Sequence, residues 1–165
     1  FLFIVTASNV RAEENLLINP GFEEGAASWN LWGKELPEIA EGGRTGKSSL
    51  KAQDVAGGYS AGAWGSFKAE QGKVYTYEAW VKTASLNGEA WIELQWFDGT
   101  NTIQIDDTVT SKGSAIISKT VDWTKLRVEG CAPSGAKTGR VACKVEGTGG
   151  PAYFDDAKVV KKNKP

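Results

Sequence analysis

The feature that most constrains this chain is a period of two. In KVYTYEAWVKTA, residues 73–84, one alternate set is Tyr75, Tyr77, Ala79 and Val81; the other is Thr76, Glu78, Trp80 and Lys82. AWIELQWFD, residues 90–98, alternates Ile92, Leu94 and Trp96 with Trp91, Glu93 and Gln95. TKLRVEG and GRVACKVEG repeat the pattern with Leu126 and Val128, then Val141, Cys143 and Val145. Side chains on a strand point alternately to its two faces, so each segment reads as a half-buried strand. Turn signals punctuate them at Asn87-Gly88, Asp98-Gly99, Lys112-Gly113, Pro133-Ser134-Gly135 and residues 147–151. Twenty glycines in 165 residues suit many tight turns. The expectation is one all-β domain, an antiparallel β-sandwich of about ten short strands in two sheets.

The charge balance excludes some functions. Nineteen basic and twenty acidic residues give a formal net charge of -1, whereas nucleic acid and anionic membranes call for a cationic excess. Neither is expected as a partner, and no stretch approaches the roughly 20 apolar residues of a membrane span. There is no histidine, so His-based triads and His-ligated zinc are excluded. A hydrolase built on two carboxylates such as Glu78 and Glu93 stays open, but a shallow sheet gives little shelter from water. The expectation is a non-enzyme.

Residues 1–14 read as a signal-peptide remnant, a tag or an extra edge strand, residues 15–160 as the sandwich, and 161–165 as a basic linker. A signal remnant would make the protein secreted. Cys131 and Cys143 lie twelve residues apart. In an exported chain they form a disulfide; the alternative is two separate thiols.

Seven tryptophans need explaining. Trp29 and Trp96 follow the aliphatic phase of their segments and belong to the core, and Trp123, opening a strand, is also read as structural. Trp32, Trp64, Trp80 and Trp91 fall on polar faces, beside residues such as Glu93 and Gln95. An indole face stacks on the C–H face of a pyranose, and Gln and Glu satisfy its hydroxyls. Trp32, Trp64, Trp80, Trp91, Glu93, Gln95 and Gln104 are therefore the candidate sugar-binding residues.

The segments NLLINPGFEEG, WNLWG, GGRTGKSSL, GKVYTYEAWVKT, DWTKLRVEGCAPSGA and GGPAYFDDAKVV occur in that order. The series resembles the jelly-roll carbohydrate-binding modules of families four, nine, sixteen and twenty-two, family sixteen most of all, over about residues 15–160. The resemblance implies a monomeric, non-catalytic appendage of a secreted glycoside hydrolase. It would bind a neutral β-1,4-linked glucan, mannan or xylan chain on one sheet. It also implies a structural Ca2+ away from the sugar, held by Glu23, the carbonyl of Lys47, and Asp155 or Asp156. Alternation lets only one aspartate face the ion, and Asp155 is preferred. Calcium favours six to eight hard oxygens of this mixed kind. The alternative function is a calcium-stabilised structural or interaction domain without a glycan site.

Overall fold

The computed structural model describes residues 13–100, 104–112 and 119–162. The side chains of Asp106 and Asp107 lie outside the description. Ten strands run β1 (Asn30–Trp32), β2 (Glu38–Glu41), β3 (Ser48–Ala52), β4 (Ala61–Lys68), β5 (Val74–Thr83), β6 (Leu86–Phe97), β7 (Gln104–Thr110), β8 (Val121–Cys131), β9 (Thr138–Gly149) and β10 (Ala152–Lys161). The described residues contain no helix. A front sheet has the order β1-β4-β9-β6-β7 and a back sheet the order β2-β3-β10-β5-β8. Every pairing is antiparallel. The all-β sandwich read from the alternation is the fold observed.

The core is the layer where the two inner faces meet. β6 contributes Ala90, Ile92, Leu94 and Trp96, β9 Val141, Cys143 and Val145, and β5 Tyr75, Tyr77, Ala79 and Val81, all buried. Each set is one phase of its strand, as the period requires. Trp96 is fully buried and lies 5.7 Å from the Tyr75 ring and 6.5 Å from that of Phe67. Trp29 is buried against Phe22, with ring centroids 4.9 Å apart. Trp123 is only half-buried and lies outside this layer, on the back sheet's outer face.

Three sequence expectations change. Asn87-Gly88 is not a turn: both residues lie within β6, paired with Thr148 and Gly147. The reversal comes earlier, at Ser85, whose φ is 56°. Lys161 closes β10 rather than opening a linker, and the Lys162 N–H bonds the Val74 carbonyl at 2.9 Å. The disulfide is absent. Cys131 is an exposed thiol at the end of β8 in the back sheet. Cys143 is buried in β9 of the front sheet, its Sγ 3.1 Å from the Tyr77 hydroxyl. Alternation buries one and the end of a strand exposes the other. Burial pushes the Cys143 thiol up to about 12, so it behaves as an inert core residue.

Of the proposed leader, residues 1–12 lie outside the described residues. From Asn15 onward the chain is tied to β10. Asn15 Nδ2 donates to the Ala157 carbonyl at 2.9 Å, and its Oδ1 accepts the Val159 N–H at 2.9 Å.

Candidate functional site

The outer face of the front sheet can be built row by row from the strand register. One row runs Trp32, Gly62, Lys144, Trp91 across β1, β4, β9 and β6. The next runs Asn30, Trp64, Ala142, Glu93 and on to Thr110 of β7. Ser66, Arg140 and Gln95 make the third, and Lys68, Thr138, Phe97 and Gln104 the fourth. Trp32 and Trp91 stand three strand spacings apart, about 14 Å. Between them in that row lie Gly62, without a side chain, and Lys144. A Cβ on Gly62 would lie 2.7 Å from Trp32 Cη2, so the indole lies flat across the glycine. Its Nε1 donates to the Ser60 carbonyl at 3.1 Å, which fixes the ring.

The polar groups of this face form one network. Glu93 Oε1 accepts the Trp91 Nε1–H at 2.8 Å, and its Oε2 accepts Gln95 Nε2 at 3.0 Å and Lys144 Nζ at 2.9 Å. Lys144 also lies 5.8 Å from the Trp32 centroid and 5.7 Å from that of Trp91. Arg140 stacks between Trp64 and Phe97, at 3.8 Å and 3.9 Å. Burial lowers the pKa of this guanidinium, yet an arginine stays charged. These cations were not singled out from the sequence. Their signal was present, since Arg140, Lys144 and Glu146 share the polar phase of their strand, but their neighbours come from distant segments.

Trp32, Trp64, Trp91, Glu93, Gln95 and Gln104 are brought to this one face. Gln104 lies at its β7 edge, exposed and donating to Thr108 Oγ1 at 2.8 Å. Trp80 is not there. It faces outward from β5 on the back sheet, opposite Asp155 and Lys125, with the Arg44 guanidinium 3.7 Å above its ring. Phase alone assigned it to a polar face without saying which sheet owned that face. Trp91 has the expected phase but only 2% of it is exposed. Lys112 Nζ sits 4.3 Å above its ring and is held there by Glu146 at 2.9 Å. Trp32 and Trp64 are the half-exposed indoles of the face. Glu78 and Glu93 project from opposite outer faces of the sandwich, so the two acids cannot flank one glycosidic bond.

The proposed ion ligands gather at the other end of the back sheet. Asp155 is fully buried where β10 breaks register with β5, between Asp155 and Lys158. Its Oδ2 accepts the N–H groups of Arg44 and Thr45 at 2.7 Å and 3.2 Å, and its Oδ1 that of Asp156 at 2.7 Å. Burial pushes this carboxyl up to about 6, and the N–H bonds only partly offset it. Glu23 Oε1 accepts the Lys47 and Ser48 N–H groups, each at 2.9 Å. The Lys47 carbonyl accepts the Gly42 N–H at 2.8 Å. Asp156 turns outward, with φ 49°, to Arg44 at 2.7 Å. No group of three Asp, Glu, Cys or His side chains suited to a metal occurs among the described residues, so an ion here would rely on carbonyls. They are present. A Cβ on Gly43 would strike the carbonyl oxygens of Thr45 and Ser48 and lie 3.0 Å from Asp155 Oδ2. These hard oxygens, converging around a bare glycine, fit a calcium-like cation.

No protein-family model matches the sequence, and no curated protein does. Solved structures do match. A family 16 carbohydrate-binding module superposes with a TM-score of 0.64 at 22% identity, over 88% of this chain and 99% of that one. The fold is that of the jelly-roll carbohydrate-binding modules. A Clostridium thermocellum xylanase 10B structure, its family 22 module and GH10 module complexed with xylohexaose, gives a TM-score of 0.66 at 17% identity over 89% of this chain. The enzymatically active domain of the bacteriophage CBA120 tailspike protein 4 gives 0.70 at 14% over 90% of this chain. This chain spans only 28% and 21% of those two chains.

Proposed function

We propose that the chain is a non-catalytic carbohydrate-binding module that holds a neutral β-1,4-linked glucan, mannan or xylan chain on the outer face of its front sheet. The observation that carries this reading is that Trp32 and Trp64 stand half-exposed on adjacent strands of one face, beside the polar network of Glu93, Gln95 and Lys144. Exposed aromatic faces accept flat sugar rings. Glu93, Gln95 and Lys144 stand beside them as acceptor and donors for hydroxyls, with the charges of Glu93 and Lys144 already paired, which suits an uncharged sugar. The jelly-roll likeness supports the same reading, as does the xylohexaose named for the xylanase structure. An attached glycoside hydrolase and secretion belong to this proposal too.

We propose further that a structural calcium ion is held by Glu23, Asp155 and the carbonyls of Thr45 and Ser48. It would supply positive charge that keeps the buried Asp155 ionised, and it would tie the loop before β3 to β10.

Affinity electrophoresis in soluble β-1,4-glucan, xylan and mannan tests the first proposal. Retardation of the wild type, lost in Trp64→Ala and kept in Trp80→Ala, is the expected result. A wild type that runs freely in all three gels would leave the structural-domain reading in its place.

A further inference from the structure

We infer that the sugar surface continues around the β1 edge into a cleft that receives a single-sugar branch of the bound chain. This rests on the proposed role of Trp64. β1 is three residues long and pairs with β4 only as far as Asn30 opposite Trp64. β4 continues to Lys68. Beyond Trp64 the front edge of β4 therefore has no strand beside it, and its backbone groups face a cleft of about 410 Å³. Ser66 and Asn30 line it from the sugar face, Ser28, Trp29 and Gly65 from below, and Ile18 forms an apolar wall that is 68% exposed.

Two properties point to a ligand. None of Ser28, Asn30 and Ser66 uses its side chain in a hydrogen bond to another described residue. In the middle of the same face, by contrast, Glu93 alone accepts three. The cleft is also preformed. Asn19 holds the wall from inside: its Nδ2 donates to the carbonyls of Gly25 and Ala27 at 2.9 Å and 3.0 Å, and its Oδ1 accepts the Glu24 N–H at 3.0 Å. Its carbonyl accepts Trp29 Nε1 at 3.0 Å. A rigid wall with unspent donors and acceptors lowers the ordering cost of binding. The position selects the ligand's chemistry. A backbone sugar stacked on Trp64 would direct a substituent toward this edge, where hydroxyls meet Asn30 and Ser66 and a C–H face meets Ile18.

Isothermal titration decides the matter with two matched pairs of probes: linear cello-oligosaccharides against xyloglucan oligosaccharides, and linear manno-oligosaccharides against galactose-substituted ones. For at least one pair the wild type should bind the branched member about threefold to tenfold tighter, the yield of one or two neutral hydrogen bonds. Asn30→Ala, and Ser66→Arg filling the cleft, should each remove that preference and leave the linear affinity unchanged. Thermal melts of these surface variants should match the wild type. Binding of both linear chains without any preference for a branch would overturn the cleft and leave the platform standing. A preference that survives both variants would overturn the cleft as well. Failure to bind any of the four probes would overturn the cleft, and failure to bind xylo-oligosaccharides as well would overturn the platform with it.

Discussion

The two outer faces of this sandwich are made from similar parts and arranged to different ends. Each carries half-buried tryptophans, and each covers an indole with a cation: Arg140 on Trp64 in front, Arg44 on Trp80 behind. Behind, many of the other charges pair with each other. Lys51 meets Glu38 at 2.7 Å, Glu78 meets Lys125 and Arg127 at 3.4 Å and 3.6 Å, and Glu129 joins Arg127 and Lys162. In front, the polar groups gather around one carboxylate, Glu93. A tryptophan on a polar face is thus no sufficient sign of a ligand. What distinguishes the front is the single polar network around Glu93 beside the rings, drawn from strands far apart in sequence.

The comparison can be tested by substitution, taking the largest effect first. Trp96→Ala, in the layer beneath the front face, should cost about 3–5 kcal/mol of stability in thermal melts. Trp91→Ala should approach the lower end of that range, because its ring is covered by Lys112 and its loss leaves Glu93 short of a donor. A Trp91→Ala protein as stable as wild type would return Trp91 to the exposed platform. Next comes the ion. Saturation at a hundredfold excess over Kd adds about 2.7 kcal/mol to the folded state. EDTA should therefore lower the melting temperature, while sugar affinity of the still-folded protein stays the same. An unchanged melting curve would remove the ion, and a loss of sugar affinity would break the division between the two sites.

Trp64→Ala should lose about 1–3 kcal/mol of binding to β-1,4-linked oligosaccharides, by analogy with aromatic stacking on bases. Trp80→Ala should lose none, by titration calorimetry. Equal losses from both would mean that the faces are not distinct in function. Smallest is Lys125→Ala, which removes one exposed back-face ion pair. It should cost about 0.2–1 kcal/mol, and the cost should shrink with added salt.

Much of this was legible in the sequence, for a reason the strands make plain. Burial on a strand is a two-way choice, so Ile92, Leu94 and Trp96 could be placed in the core and Trp91, Glu93 and Gln95 outside it from their order alone. Placing Trp32, Trp64 and Trp91 in neighbouring rows required knowing that β9 lies between β4 and β6, a pairing across some seventy residues on one side. Trp80 was misplaced for the same reason. The cover over Trp91 comes from Lys112, beyond β7, and alternation says nothing of it. The Asn87-Gly88 signal failed because pairing with Gly147 and Thr148 outweighed a local turn preference.

The strand order also has a consequence for how such a sandwich comes to exist in a cell. β9 and β10 occupy the middle of the front and back sheets respectively, yet of the ten strands of this sandwich they are synthesised last. Until they arrive, β4 and β6 have no common neighbour, and β3 and β5 are likewise kept apart. Synthesis therefore delivers four separate antiparallel pairs, β1-β4, β2-β3, β5-β8 and β6-β7, before either sheet can close, and long-range closure of this kind is slow. Premature termination before residue 138 would leave two-stranded pairs whose open edges are prone to self-association.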